Sequence, residues 1–339
     1  MHTWPQLSAL MTLAALAAIT ACSSQNQRPD WLDNPQASYP PASYLSASGT
    51  ADSREAAAER ALANLARVFN VAVSDTSMDF SSARVERSGD SSALTNTQQA
   101  SRLVTAQALQ VLEGARIAES WQAPDGSSHS LAVLDKGPAA QRFRRDIGQA
   151  DRRTADLVSY ASGPAPTPVA ALSALEQARL LQLERDALNR NLSVVSGQSI
   201  RSPHPAADIE HMIRQGLARL SFATRGDSEN MAFDLQAAIA SLGIRHQPDS
   251  RYELRGGLDL APLQQREGWY WLRGSLQLRL LDRGSEIARR RWPVKVSATD
   301  AGTAEQRARD LTTAALPGYV YDMISSSPAG LQRDGGHVD

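Results

Sequence analysis

The chain has 339 residues, 35 basic and 36 acidic side chains and a formal charge of −1. That balance excludes a nucleic-acid binder working by bulk charge and an acidic solvating tail, while the length allows roughly two or three units with cores of their own. Cys22 is the single cysteine, which excludes an intramolecular disulfide and a cysteine-based metal site.

An apolar run from Leu7 to Ile19 ends in Ile19-Thr20-Ala21-Cys22. Crossing a bilayer as a helix takes about 20 residues, so a run of this length is no permanent span. A short buried helix begins the same way, but small residues before Cys22 and a Ser/Gln/Asn stretch after it fit cleavage better. Residues 1–21 therefore read as a signal peptide and Cys22 as a lipidated cysteine carrying palmitate-type acyl groups. The segment before the apolar run has no Lys or Arg, an atypical feature for such a signal. Ser23 and Ser24 follow the cysteine in place of an aspartate, and this resembles the default sorting pattern of lipoproteins for the outer membrane. The expectation is a lipid-anchored outer-membrane protein with its body in the periplasm. Lysine occurs only at Lys136 and Lys295, and a GC-rich genome explains that bias more simply than a demand for guanidinium geometry.

Residues 22–42 are rich in Ser, Gln, Asn and Pro and are expected to form an extended or lightly docked tether. Trp31 is the exception, expected to dock on the first domain rather than to sit at the membrane interface. That domain, residues 43–137, starts with an alternating strand, Tyr44-Leu45-Ser46-Ala47-Ser48. Asp52 follows, with Glu55 three positions on, as a helix-start signal. The helix should run to about Phe69, because Ala58, Ala61, Leu62, Leu65, Val68 and Phe69 share one face. A strand at residues 71–74, a polar stretch to Thr97 and a helix at 98–112 should follow. Residues 115–121 and 130–135 then read as a hairpin around Pro124-Asp125-Gly126-Ser127.

Pro29-Asp30-Trp31, the strand and alanine-rich helix from Tyr44 to Phe69, and the Gly114-to-Asp135 hairpin with Trp121 resemble the LPP20 lipoprotein family. The family includes surface antigens and proteins that help assemble the flagellum. The resemblance covers about a third of the chain and its motifs contain no catalytic residue. It implies a lipoprotein that works through contacts.

Residues 138–195 predict a helical hairpin broken at Gly163-Pro164-Ala165-Pro166-Thr167-Pro168, which no helix continues through. Arg144, Arg145, Arg152 and Arg153 on it could mark a partner surface, although such charges more often form a solvated face. Residues 196–326 predict a second α+β domain. Helices are expected at 205–217, 227–242 and 303–316, and strands at 251–260, 269–281 and 287–298. Residues 327–339 read as a disordered tail.

For chemistry, the sequence has no nucleophile elbow and no phosphate or dinucleotide loop. His204, Asp208, Glu210 and His211 are the best metal candidates. Their order fits no standard signature, and a helix N-terminus accounts for the acids. Arg225-Gly226-Asp227 looks like an adhesion tripeptide, but an N-cap at Asp227 explains it as well. Trp269, Trp271, Arg289, Arg290, Arg291 and Trp292 concentrate aromatic and guanidinium groups on two strands expected to pair. These six form the candidate interaction surface, against the alternative that the aromatics fill the core and the arginines coat the outside.

The predicted fold is therefore α+β: two small antiparallel-sheet domains, each covered by helices and separated by a helical hairpin. The predicted function is a non-enzymatic accessory or assembly factor without metal or cofactor. Its expected partners are the bilayer through Cys22, envelope proteins and, as the alternative, peptidoglycan or a cell-wall enzyme. Self-association is open, and nucleic acid is not expected.

Overall fold

The computed structural model describes residues 28–85 and 113–326. Cys22, the predicted helix at 98–112 and the predicted tail lie outside the described residues. The chain divides into two units, the second of which takes in Arg142–Ser193 and the chain from Gly197 onward.

In the first unit, a single turn at Asp30–Leu32 and a short helix α1 (Pro35–Ser38) lead into β1 (Tyr44–Ala51) and α2 (Arg54–Val85), which belongs to this unit as far as Val71. The hairpin β2 (Ala115–Gln122) and β3 (Ser128–Asp135) completes an antiparallel sheet of order β1-β3-β2. Strand alternation gives this sheet two different faces. On one, Gly49 pairs with Ser130 and Ala47 with Ala132, small residues that allow α2 to pack closely with Ala57, Ala61, Leu65 and Phe69 fully buried. On the other, Leu131 and Val133 pack with Trp31, so the tether docks as its tryptophan predicts. Asp125 closes the hairpin turn by accepting from the Ser127 amide and hydroxyl at 2.9 and 2.7 Å. Ser127 lies 3.2 Å from His129 Nε2, whose Nδ1 lies 3.0 Å from Thr50 Oγ1. That chain of polar contacts ties the turn to the first strand.

The strand predicted at residues 71–74 is instead part of α2. Four apolar or small residues have no period of their own, and an already nucleated helix adds one bond per residue where a new strand needs a partner.

The pair α3 (Lys136–Ser162) and α4 (Pro168–Ser196) forms where the helical spacing predicts it. Thr167 caps α4 through the Ala170 amide, and Gly197 ends it in the left-handed region. Then come α5 (Ala206–Arg219), β4 (Ser221–Gly226), α6 (Glu229–Ser241), β5 (Arg245–His246), β6 (Tyr252–Leu260), β7 (Gln264–Arg266), β8 (Trp269–Asp282), β9 (Ser285–Ala298) and α7 (Ala301–Ser325). The six strands make one sheet: β4 is parallel to β5 and β6, whereas β8 is antiparallel to β6, β7 and β9. The α+β class holds, with this second sheet mixed rather than wholly antiparallel.

One face of that sheet carries the core. Leu254, Leu272, Leu276, Leu278, Leu280 and Val294 meet Val169, Leu172 and Leu175 of α4, Ile209 and Ile213 of α5, Leu235 and Ile239 of α6, and Leu316 and Val320 of α7 in one cluster. Helix α7 runs nine residues past the predicted stop at Leu316, through Pro317. The proline removes one backbone bond, but Val320, Met323 and Ile324 beyond it are buried, and their burial holds the last turns in place.

Candidate functional site

The six residues of the predicted surface fall on both faces of the second sheet, because neighbouring residues in a strand point to opposite sides. Trp292 pairs with Leu276 and Arg290 with Leu278, on the helix-covered face. There the Trp292 ring stacks on Tyr319 of α7, centroids 4.2 Å apart and planes 17° from parallel, and Arg290 meets Asp322 at 2.5 Å. Both side chains thus fasten α7 to the edge strand. Trp269, Trp271, Arg289 and Arg291 lie on the opposite face, with Trp269 exposed at 45% and Trp271 half-buried under Lys295, whose Nζ is 5.9 Å from the ring centre.

That opposite face holds more cations than the sequence alone brought together. Arg225 of β4 is registered with Arg255 of β6, Arg255 with Arg279 of β8, and Arg279 with Arg289 of β9. Four arginines therefore stand abreast across four strands on one face. Arg273 pairs directly with Lys295 nearer Trp271. Like charges placed opposite one another are destabilising, and two carboxylates relieve part of this. Glu253 meets Arg225 at 2.7 Å and Arg255 through two bonds of 2.9 and 3.0 Å. Glu286 takes Arg289 through two bonds of 2.8 Å. Arg291 bonds the Ser275 hydroxyl at 2.5 Å and Asp259 at 3.2 Å, beside a shallow depression that Arg273 and Pro293 also line. Arg279 has no carboxylate at ion-pair distance among the described residues, although its charge acts on both Glu253 and Glu286.

The hydrogen bonds from Arg255 and the charges of Arg255, Arg225 and Arg279 hold the Glu253 carboxyl below its usual range. Arg289 does the same for Glu286, and Arg251, which forks onto Asp282 at 2.6 and 2.7 Å, for Asp282. A carboxyl lowered by folding contributes stability that is present above its unfolded pKa, near pH 4, and lost as the pH falls through the folded value. Asp186 and Asp322 run the other way. Burial raises both against the pull of Arg185 and Arg290, so their contribution is present in acid and lost as the pH rises. The midpoint of thermal unfolding should therefore hold or rise slightly from pH 7 to roughly pH 4 and drop below it. In Asp282→Asn the drop should be shallower, and an identical acid profile in that variant would contradict the assignment.

The other sequence candidates are not assembled. Among the described residues no group of three His, Cys, Asp or Glu side chains stands close enough to hold a metal, and His211 Nε2 lies 2.7 Å from the Gln215 amide nitrogen. Asp227 does not cap α6. Ser228 does, through the Met231 amide, and Asp227 instead accepts from the Leu258 amide at 2.7 Å.

The fold and this geometry define an α+β protein of two units whose candidate site is a solvent-facing sheet surface. No helix among the described residues is long and apolar enough to cross a membrane. Its N-terminal third resembles the LPP20 lipoprotein family, whose model matches residues 29–135. No curated protein matches the chain. A secreted protein of Helicobacter pylori aligns over 82% of this chain and 96% of its own, at 14% identity and a TM-score of 0.41. A minor lipoprotein of Acinetobacter baumannii aligns over 32% and 90%, at 20% identity and a TM-score of 0.24.

Proposed function

We propose that the chain is an outer-membrane lipoprotein, anchored by acyl groups on Cys22, that serves as a non-enzymatic accessory or assembly factor through contacts made in the periplasm. The observation that carries this reading is the lipoprotein-family match beginning at residue 29, seven residues after Cys22. Seven extended residues reach about 25 Å, so the first unit would be held close to the bilayer. Confinement of that kind raises the local concentration of every surface the body presents to envelope partners. The second sheet's open face, with Trp269 and Trp271 beside its cations, is the surface best suited to such a contact.

The test is fractionation of envelopes that carry the full chain or its Cys22→Ser variant. The chain should sediment with outer membranes, need detergent for release and yield an acylated N-terminal peptide, while the variant should lose acylation and membrane retention. A mature chain recovered unacylated from the soluble periplasm would overturn the proposal. The exposed Trp269 favours one second reading, a peptidoglycan-binding module or regulator of a cell-wall enzyme. Retention on purified sacculi that disappears in Trp271→Ala would select it.

A further inference from the structure

We infer that the row Arg225, Arg255, Arg279 and Arg289 is a docking site for an acidic protein segment, with carboxylates of the partner inserting between the guanidinium groups. The inference rests on the tethered-contact reading and adds the chemistry of the partner.

The ends of the row add little to stability. Exposed ion pairs contribute about 0–1 kcal/mol each, and Arg225 and Arg289 are 73% and 54% exposed in their side chains. Protection of a sheet edge accounts for Arg289, Arg291 and Pro293, since among the described residues β9 pairs only with β8, and an edge strand is guarded by charge and proline. That account fails for Arg255 and Arg279, which stand on β6 and β8 inside the sheet. Four cations abreast with two carboxylates beside them leave a local excess of positive charge on a rigid platform.

The form of the site selects a carboxylate. Arg255 and Arg289 already hold Glu253 and Glu286 in planar two-bond forks, the geometry in which guanidinium recognises carboxylate. Arg279, between them in the row, has no such fork among the described residues. A membrane surface or a polyphosphate would present anions everywhere and meet repulsion from Glu253, Glu286 and the exposed Asp259. A protein segment can place acids over the arginines and neutral or basic groups over the acids, which is how charge patterning specifies a partner. With strands about 4.8 Å apart, four strands span about 14 Å, enough for a partner to lay several acidic residues across the row.

The experiment uses the full chain purified in mild detergent, in two forms, unaltered and Arg279→Gln, with Arg279→Lys as a charge-keeping control. The probes are a fluorescent 12-residue peptide with glutamate at alternate positions, its glutamine counterpart, and phosphatidylglycerol vesicles offered to the Cys22→Ser chain. The glutamate peptide should bind, weaken at least tenfold between 50 and 200 mM salt, and lose at least tenfold in Arg279→Gln, with Arg279→Lys intermediate and all forms melting alike. Equal binding of the glutamine peptide, an unchanged affinity in Arg279→Gln, or vesicle binding that matches the peptide would overturn the inference. Those results would leave Cys22 acylation and membrane retention untouched, so they would not count against the tethered-contact reading.

Discussion

Arg185→Ala should destabilise the second unit by about 3–5 kcal/mol, the range found when one partner of a buried charged network is removed. The Arg185 side chain is only 2% exposed. Its guanidinium donates to Asp151 at 3.1 Å and to the Ile200 carbonyl at 2.7 Å. It belongs to a polar seam at three-residue spacing along α4. Glu176 forks onto Arg179 and accepts from the Tyr321 hydroxyl at 2.7 Å, and Gln182 bonds Thr154 and Ser202. Burial works against the charge on Arg179, but the Glu176 fork outweighs it and raises that pKa. Removing Arg185 leaves the partly buried Asp151 without its cation and a carbonyl without its donor, costs that an alanine cannot offset. Urea unfolding at pH 7 should show a midpoint shifted down at unchanged slope, and a loss under about 1 kcal/mol would mean that solvent fills the seam.

Gly49→Ala is expected to have the next largest effect, about 3 kcal/mol or more, in the first unit. A methyl group at Gly49 would overlap the main chain of Ala57 and Ala61 and sit 2.9 Å from the Arg60 carbonyl carbon. A side chain in that position could rotate away, but helix backbone cannot, so α2 would have to lift from β1. The Asn64 and Arg60 side chains, which donate to the carbonyls of Ser48 and Thr50 at 2.8 and 2.6 Å, would move with it. Gly137→Ala is the control, because its methyl meets nothing within 4 Å and should cost almost nothing. Hydrogen exchange over β1 and β3 should rise in Gly49→Ala alone. Equal protection in the two variants would show that the helix accommodates the methyl.

Elements with strong internal periodicity are legible in the amino-acid sequence. The Pro-rich break before α4 and its leucine spacing, the alternation of β8 and the Asp125-Gly126 turn each depend on residues a few positions apart. The strand β4 is not legible there. Its six residues offer only Phe222 and Ala223 as buried side chains, and a short parallel strand covered on its core face lacks the alternation that marks an edge or hairpin strand. Pro317 marks a helix end that burial of the following turns overrides.

The candidate site divides the same way. Arg289-Arg290-Arg291-Trp292 forms one cluster along the chain, yet strand alternation sends Arg290 and Trp292 toward α7 and leaves Arg289 and Arg291 facing solvent. Arg225, Arg255, Arg279 and Arg289 share no local signal, being far apart along the chain. Spacing within a few turns or strands was enough to establish the α+β class, the helical pair, the main hairpins and the lipoprotein-family likeness. Which charges stand abreast was settled by folding alone, because strand register is a long-range pairing that places a residue opposite partners its neighbours in sequence do not reveal.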